Sequence, residues 1–237
     1  MNDQTISEDR TKIEGRDGTF QAYVSRPKTL PAPGVIVLQE VFGLNADIRE
    51  HCKELAAQGF LVVAPDLYWR QETGVDLDAS SERDWQRAVQ LYGAYDRDAG
   101  VDDIVDTVRV VATLPECTGK VGLLGYCFGG LMAFLTAARS DVDAGVAFHG
   151  GDTEKYLDEA ATLDAPFLMH LADEDEFISK DAQAAIEAAL ANKPNTTVYS
   201  YPGQYHAFSR HNGAHYNAEA AALADARTEQ FLKQHLS

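Results

Sequence analysis

Residues 120–130 read Lys-Val-Gly-Leu-Leu-Gly-Tyr-Cys-Phe-Gly-Gly, and an apolar run from residue 131 to residue 138 follows directly. A strand-like segment thus ends at Cys127, which has a glycine two residues before it and another two residues after it, and a helix-like segment begins. This pattern is typical of a nucleophile elbow, with a cysteine where a serine is usual. In so sharp a turn, a side chain at Gly125 or Gly129 would collide with the neighbouring backbone. The alternative is a buried cysteine beside a glycine-rich packing turn.

The composition of the chain limits the partners that we expect. It has 237 residues, which suits a single α/β domain over residues 1–237, and we expect residues 1–10 to be flexible. The 20 Lys and Arg residues face 37 Asp and Glu residues, so the formal net charge is -17 at pH 7. Because this charge repels polyanions and anionic lipid surfaces, we expect neither nucleic acid nor a membrane as a partner. An anionic substrate would need a local cluster of arginines.

The start of the chain and its cysteines predict a cytoplasmic protein. The first ten residues contain no apolar segment of signal-peptide length, and no later run approaches the roughly 18 apolar residues of a membrane-spanning helix. The three cysteines, Cys52, Cys117 and Cys127, form no Cys-x-x-Cys pair. We therefore expect reduced thiols rather than a disulfide framework.

Short apolar runs alternate with amphipathic segments along the chain. An Asp-Gly pair at residues 17–18 predicts a β-hairpin between residues 13–15 and 20–26. The alternation after it predicts a mostly parallel central sheet with helices on both faces. The predicted strands are 35–38, 60–64, the segment from 120, 144–148, 167–171 and 197–201, and the predicted helices are 46–58, 82–95, 101–114, the segment after 127, 154–161, 180–191 and 217–235.

The loop over residues 65–81 is long for a compact domain, and aromatic residues cluster between positions 68 and 95. Trp69 and Trp85 both lie in this region. The cluster fits the wall of a pocket, and it fits equally well a helix that packs on the sheet.

A cysteine nucleophile needs a base, and the base needs an acid that orients it. With an elbow of this kind, the order along the chain is nucleophile, acid, base. Asp175 and His206 come just after two successive predicted strands. Because the carboxyl ends of parallel strands meet at one edge of the sheet, we expect both side chains near Cys127. Asp173 is the alternative acid, and we prefer Asp175 because it lies nearer the Phe-Ile pair that would re-enter the core.

The seven histidines do not predict a metal site. Two are assigned to helix surfaces, namely His51 and His235. Two are assigned to strand ends or to the core, namely His149 and His170. The remaining three lie close together in the sequence, but no acidic or cysteine partner stands beside them at a ligand-like spacing; they are His206, His211 and His215. We therefore predict no metal and no other cofactor.

Four segments of the chain form a further combination of motifs: Gln39-Glu-Val-Phe-Gly-Leu-Asn45, Ala64-Pro-Asp-Leu-Tyr68, Gly122-Leu-Leu-Gly-Tyr-Cys-Phe-Gly-Gly130 and Gly203-Gln-Tyr-His-Ala-Phe208. This combination resembles the dienelactone hydrolase family, the carboxymethylenebutenolidases, and the resemblance runs from about residue 10 to residue 233. It implies the α/β-hydrolase fold. It also implies that Cys127, Asp175 and His206 form a catalytic triad.

The resemblance implies roles for the residues around this triad. The backbone N–H groups of Val41 and Phe128 would form the oxyanion hole. Glu40 would contact the thiol of Cys127 in the resting enzyme, where a carboxylate can accept the S–H proton in a hydrogen bond, hold Cys127 neutral and so protect the sulfur from oxidation. We expect Phe42 to line the substrate pocket.

Substrate binding is the part in which the chain departs from the resemblance. The family binds a substrate carboxylate with two arginines, and Arg210 matches one of them. At the position of the other the chain has Trp85, with Arg83 and Arg87 on either side, and Val89 stands where the family has an aromatic hydroxyl. Either Arg83 or Arg87 reaches the pocket, or the pocket takes a less anionic lactone or ester.

The sequence therefore predicts a cysteine-dependent hydrolase that opens a small lactone or ester through a thioester acyl-enzyme. Two alternatives stay open: a general carboxylesterase or thioesterase on other small acyl substrates, and a non-catalytic thiol-sensing or ligand-binding module. The expected partner is a small-molecule substrate, and we expect a monomer or a small homo-oligomer.

Overall fold

The computed structural model describes residues 7–237, and an antiparallel hairpin opens the fold. Strand β1 covers Ser7–Gly15 and strand β2 covers Gly18–Arg26, with Gly15 paired to Gly18 across the turn. The predicted hairpin is confirmed, although β1 is longer than the sequence indicates. Of the segment 1–10 that we expect to be flexible, residues 7–10 begin β1, and residues 1–6 lie outside the described part of the chain.

Within residues 7–237 the central sheet has eight strands in the order β1-β2-β4-β3-β5-β6-β7-β8. The six strands after the hairpin are β3 (Ala32–Leu38), β4 (Leu61–Pro65), β5 (Cys117–Tyr126), β6 (Ala144–Phe148), β7 (Phe167–Ala172) and β8 (Thr196–Tyr201). These six run parallel to one another, and the hairpin joins them through an antiparallel pairing of β2 with β4. The predicted mostly parallel sheet is confirmed.

Helices cover both faces of this sheet. They are α1 (Ala46–Ala57), α2 (Glu82–Gly93), α3 (Arg97–Ala112), α4 (Phe128–Arg139), α5 (Lys180–Leu190) and α6 (Ala218–Leu236), with a 3-10 helix over Thr153–Thr162. Helices α1 and α6 pack on one face of the sheet, and α3, α4 and α5 pack on the other. Along residues 7–237 we find no helix with the length and hydropathy that a bilayer crossing requires.

Strand β3 shows why the central strands are continuous apolar runs. Val35 and Val37 are buried on the face of α1 and α6, whereas Ile36 and Leu38 are buried on the face of α3, α4 and α5. Successive side chains of a strand point to opposite faces, so a strand that is covered on both sides must be apolar at every position. The apolar run at 35–38 is therefore a sign of a central strand.

The carboxyl ends of the parallel strands bring the candidate residues to one edge of the sheet. Glu40 follows β3, Cys127 follows β5, His149 follows β6, Asp175 follows β7 and His206 follows β8. Ligands of open α/β sheets bind at this edge, because the loops there converge from several strands. The fold thus positions one candidate site.

Candidate active site

Cys127 lies in a strained turn between β5 and α4. Its φ of 52° and ψ of -114° are values that a non-glycine residue adopts only at an energetic cost. The turn is held by backbone hydrogen bonds: the Cys127 N–H donates to the carbonyl oxygen of Phe148 at 3.0 Å, and the Gly130 N–H donates to the carbonyl oxygen of Cys127 at 2.9 Å. Cys127 is half-buried, whereas α4 behind it is almost entirely buried.

Two glycines make this turn sterically feasible. A Cβ atom at Gly125 would lie 1.9 Å from the carbonyl oxygen of Gly129, and a Cβ atom at Gly129 would lie 2.2 Å from the carbonyl oxygen of Leu38. Both neighbours are backbone atoms, which cannot rotate away as a side chain can. The steric role predicted for Gly125 and Gly129 is confirmed, and it lets β3, β5 and α4 approach one another closely.

His206 and Asp175 form a buried hydrogen-bonded pair. His206 Nδ1 donates to Asp175 Oδ2 at 2.8 Å, and the side chain of Asp175 has an exposed fraction of 0%. The other carboxylate oxygen, Asp175 Oδ1, accepts from two backbone N–H groups at 2.8 Å and 3.1 Å. The alternative acid, Asp173, instead forms an ion pair with Lys180 at 2.6 Å. The structure therefore brings Asp175, and not Asp173, to the imidazole.

The surroundings of His206 raise its pKa. Burial lowers the pKa of this imidazole, but the charge of the nearby Cys127 sulfur and the hydrogen bond to Asp175 outweigh the effect of burial and raise the pKa to about 10. The His206 Nε2 atom is buried and has no hydrogen-bond partner of acceptable geometry. A general base needs such an available nitrogen beside the group that it deprotonates.

Two backbone N–H groups at the ends of β3 and β5 are not used by the fold. Phe128 is the first residue of α4, and the first N–H groups of a helix have no intrahelical acceptor. Val41 follows β3, and its carbonyl oxygen accepts from the hydroxyl group of Tyr68 at 3.2 Å. Neither N–H group donates a hydrogen bond within residues 7–237. These are the two groups that the resemblance assigns to an oxyanion hole.

Glu40 and Arg210 form a bidentate ion pair. Arg210 Nε donates to Glu40 Oε2 at 2.8 Å, and Arg210 Nη2 donates to Glu40 Oε1 at 2.9 Å. The Glu40 side chain is 2% exposed, and the guanidinium of Arg210 also lies over the ring of Phe42, 5.2 Å from its centroid. In this conformation the carboxylate of Glu40 is therefore directed to Arg210, and not to the thiol of Cys127 with which the resemblance pairs it.

Aromatic side chains connect Phe42 with His206. Trp85 meets the Phe42 ring edge-on, with the ring centroids 4.9 Å apart, and stacks on Phe177 at 6.2 Å. Phe177 in turn meets the His206 ring edge-on at 4.9 Å. We call Phe42, Trp85 and Phe177 the aromatic wall. Trp85 thus lies at the site. Trp69 instead stacks on the ring of Phe20 in β2, with centroids 5.3 Å apart, and packs against the core.

The two arginines that flank Trp85 do not reach the aromatic wall. The Arg83 side chain is 94% exposed, and Arg87 forms an ion pair with Glu72. Val89 is also exposed on α2. Helix α2 directs Trp85 inward and the flanking positions outward, because neighbouring residues of a helix point in different directions. The structure thus brings Arg210 and Trp85 to the site, but neither Arg83 nor Arg87.

His149 is a site residue to which the sequence assigns a place at the sheet edge but no role. It directly follows β6 with a φ of 37°, it is completely buried, and its ring centroid lies 4.5 Å from that of His206. Neither ring nitrogen has a hydrogen-bond partner, and burial lowers the pKa of the imidazole well below its usual value. The predicted place of His149 at a strand end or in the core is confirmed. Its position at the shared sheet edge is the signal that could have indicated contact with His206.

The prediction that His51 lies on a helix surface is wrong. His51 is buried, and its ring stacks on Tyr126 of β5 with centroids 4.3 Å apart. The reason is that α1 turns this face toward the sheet and toward the loop after β8, where His211 lies 4.5 Å away, centroid to centroid. Helical spacing alone does not show which polar residues of an amphipathic helix lie beneath a loop.

Comparison with known proteins assigns the chain to a family. The profile of the Dienelactone hydrolase family matches residues 20–236. A putative carboxymethylenebutenolidase from Azospirillum brasilense is 42% identical over 233 residues, which cover 94% of this chain and 96% of that protein. The chain belongs to the dienelactone hydrolase family.

Two further relatives of the dienelactone hydrolase family match nearly the whole chain. A carboxymethylenebutenolidase from Pseudomonas putida is 40% identical over 221 residues, which cover 93% of this chain and 94% of that protein. The crystal structure of a putative dienelactone hydrolase from Klebsiella pneumoniae has a TM-score of 0.85 at 28% identity, over 97% of this chain and 99% of that chain. The protein thus has the α/β-hydrolase fold, and it is a carboxylic ester hydrolase that acts on small-molecule esters.

Proposed function

We propose that this member of the dienelactone hydrolase family opens small lactones or esters with Cys127 as the nucleophile, through a thioester acyl-enzyme. The observation that carries the proposal is the buried pair of His206 and Asp175 next to Cys127, whose thiol lies on a strained turn and acts on the pKa of the His206 ring. An imidazole that is oriented by a carboxylate next to a nucleophile is the arrangement of a catalytic triad.

In the first step, the Cys127 sulfur attacks the carbonyl carbon of the substrate, and His206 holds the thiol proton on Nε2. The carbonyl oxygen becomes negatively charged, and the N–H groups of Val41 and Phe128 donate to it. When the tetrahedral intermediate collapses, the ester C–O bond breaks and the leaving oxygen takes the proton from His206. In a lactone the leaving oxygen stays attached to the acyl group, so the ring opens into a thioester.

In the second step, His206 accepts a proton from water while the water oxygen attacks the thioester carbon. Collapse of this intermediate breaks the C–S bond, the sulfur recovers the proton from His206, and the product leaves as a carboxylic acid. Asp175 stabilises the imidazolium in both steps. Because a thiolate is both a good nucleophile and a good leaving group, strained or conjugated esters suit this chemistry and ordinary amides do not.

Glu40 has two partners in this proposal. In the resting enzyme its carboxylate contacts the thiol, and movement to Arg210 leaves the thiol to His206. The bidentate contact between Arg210 and Glu40 supports the second arrangement as a stable one, because two parallel charge-assisted hydrogen bonds fix the carboxylate. A substrate that approaches Cys127 would favour it.

The aromatic wall supports a second candidate, a carboxylesterase that acts on less anionic acyl substrates. Trp85 presents an aromatic surface at the position where the resemblance expects an arginine. The charge of Arg210 is already matched by Glu40. A carboxylate on the substrate would therefore meet only one cation, and that cation would first have to give up its partner.

Hydrolysis of p-nitrophenyl acetate and of a dienelactone tests the assignment of the triad. We expect Cys127→Ala and His206→Ala each to lower kcat/KM at least about 1000-fold with both substrates. Cys117→Ala removes a thiol at the start of β5 and is the matched control, which should retain activity. Undiminished turnover in Cys127→Ala or in His206→Ala would overturn the assignment of the triad. Reversible oxidation of Cys127 without ester turnover would instead indicate a thiol sensor.

A further inference from the structure

A group of histidines and carboxylates lies between α1 and the loop that follows β8. Asp47, His51 and Glu54 share one face of α1, because residues three and four positions apart lie on the same side of a helix. His211 approaches them from the loop, directly after Arg210. We call Asp47, His51, Glu54 and His211 the His–carboxylate cluster.

Each carboxylate of this cluster contacts both imidazoles. At one end, Asp47 Oδ1 lies 2.9 Å from His211 Nδ1, and Asp47 Oδ2 lies 3.5 Å from His51 Nε2. At the other end, Glu54 Oε1 lies 3.1 Å from His211 Nε2, and Glu54 Oε2 lies 3.5 Å from His51 Nδ1. One nitrogen of each ring therefore faces Asp47, and the other nitrogen faces Glu54.

The Asp47 end of the cluster has the dimensions of a metal site. One donor atom from each of Asp47, His51 and His211 lies within 4.8 Å of the other two. In a tetrahedral site with metal–ligand bonds of about 2.0 to 2.1 Å, ligand atoms are about 3.3 Å apart. The observed distances, 2.9 Å from Asp47 Oδ1 to His211 and 3.5 Å from Asp47 Oδ2 to His51, involve the two oxygens of one carboxylate and lie on either side of that value. Three protein ligands would leave a fourth position for water.

His51 provides an independent indication that a ligand belongs here. Its side chain is only 4% exposed, and its buried Nε2 atom makes no hydrogen bond of acceptable geometry, since the facing Asp47 Oδ2 atom lies 3.5 Å away. A buried polar atom without a partner is costly, and a bound ion is one of the groups that can satisfy it. The side chains of Asp47 and His211 are 11% and 24% exposed, so an ion can enter from their side.

We propose that Asp47, His51 and His211 bind a divalent transition-metal ion such as Zn²⁺, Co²⁺ or Ni²⁺. Glu54 accepts from Nε2 of His211 and lies 3.5 Å from Nδ1 of His51, as an outer carboxylate does in many histidine–metal sites, and so directs the near nitrogens to the ion. Two imidazoles and one carboxylate select these ions over Mg²⁺ and Ca²⁺, which prefer oxygen ligands alone.

The proposal is independent of the ester chemistry, because none of its ligands acts in the proposed mechanism. The ion would connect α1 with the loop that also presents Arg210. A helix and a loop that share a metal ion cannot separate without losing it, so binding should stabilise the folded chain, and this stabilisation should grow with the logarithm of the ion concentration once that exceeds Kd.

Titration of the chelator-treated protein with Co²⁺ tests the proposal, since the visible absorption of Co²⁺ depends on the number and geometry of its ligands. We expect saturable binding of one Co²⁺ per chain with the absorption of a four- or five-coordinate ion, and a Tm that rises with the concentration of added Zn²⁺. Asp47→Asn and His211→Ala each remove a ligand and should abolish saturable binding. Glu54→Gln retains all three ligands and should weaken binding about 10- to 100-fold.

His235→Ala is the matched control, because it removes a histidine of α6 that is not part of the cluster. This variant should bind Co²⁺ as the unsubstituted protein does. Circular dichroism of each variant shows whether it has folded, and Glu54→Gln keeps the test decisive if a ligand variant does not fold. The proposal is overturned if the unsubstituted protein shows no saturable binding. It is also overturned if folded Asp47→Asn, His211→Ala and Glu54→Gln variants all bind Co²⁺ unchanged, and the cluster is then an ion-pair network only.

Discussion

The two nitrogens of the His206 ring have opposite environments. Nδ1 donates to a buried carboxylate, whereas Nε2 has no partner and faces the thiol. His149 and Phe177 both pack edge-on against the ring, with centroids 4.5 Å and 4.9 Å away. Because these neighbours hold the ring without hydrogen bonding to it, Nε2 stays available to Cys127 and to the substrate.

Trp85 sets the polarity of the aromatic wall, and its replacement by arginine tests this. We expect Trp85→Arg to raise kcat/KM for a carboxylate-bearing lactone about tenfold, since a hydrogen bond to a charged group contributes about 1.5 to 3 kcal/mol and 1.4 kcal/mol is tenfold. The same variant should lower kcat/KM for a neutral aryl ester. Trp85→Phe, which keeps an aromatic ring without a charge, is the control. An equal change with both substrates would contradict a role in specificity.

His170 should make stability depend on acid pH. Its ring hydrogen-bonds with the hydroxyl groups of Tyr201 at 2.8 Å and Thr228 at 3.0 Å, and complete burial lowers its pKa to about 3. In the unfolded chain the same imidazole takes up a proton near pH 6.5. Unfolding therefore binds a proton below that pH. The contribution of neutral His170 to the free energy of unfolding is fully present above about pH 6.5, and it is lost as the pH falls toward about 3.

Urea unfolding at pH 7 and at pH 5 measures this contribution. Between these values the free energy of unfolding should fall by about 2 kcal/mol on account of His170 alone. The side chain in His170→Gln cannot take up the proton. The free energy of unfolding of this variant should therefore fall by about 2 kcal/mol less between pH 7 and pH 5. His235→Gln, with a substitution in the last turn of α6, is the control and should behave like the unsubstituted protein. An equal pH dependence in His170→Gln would show that the buried ring is not held neutral.

At the scale of elements, the junction of β3, β5 and α4 positions the nucleophile. Gly129 allows α4 to approach the end of β3 so closely that the backbones touch. Residues Leu131, Met132 and Phe134 of α4 are fully buried behind this contact. The position of Cys127 therefore depends on the whole packed junction and not on the turn alone.

Substitution of Gly129 by alanine tests this junction. The added Cβ would lie 2.2 Å from the carbonyl oxygen of Leu38, so β3 or α4 must move. We expect the free energy of unfolding to fall by at least about 3 kcal/mol, the upper range for overpacking, in urea denaturation. Gly151→Ala is the matched control, since its Cβ would meet no atom within 4 Å, and it should change stability by less than about 0.5 kcal/mol. Equal stability of the two variants would contradict the steric account.

At the scale of the whole molecule, contacts between distant residues assemble the site. The strands, the helices and the elbow are predictable from the sequence, because hydrophobic period and turn chemistry are local properties. The common sheet edge of Cys127, Asp175 and His206 is also predictable, because parallel strands end on one side. The order of elements along the chain is therefore sufficient to predict the sheet and the meeting of these three residues at its edge.

The partners of the charged side chains are not predictable in the same way. Glu40 and Arg210 are 170 residues apart, and Asp47 and His211 are 164 residues apart. The resemblance places Glu40 and Arg210 at the site but gives each a different partner, and nothing in the sequence pairs Asp47 with His211. Which carboxylate meets which cation depends on the path of the loop after β8, and that path is set by the packing of the whole molecule. The ion pair of Glu40 and the His–carboxylate cluster therefore become visible only in three dimensions.

The central claim is that Cys127 becomes acylated during turnover. Rapid mixing with p-nitrophenyl acetate, acid quenching and peptide mapping by mass spectrometry measure this directly. The account predicts one acetyl group, attached as a thioester to the peptide that contains Cys127, and no such adduct in Cys127→Ala. An acetyl group on a different residue during turnover, or undiminished hydrolysis by Cys127→Ala, would contradict it.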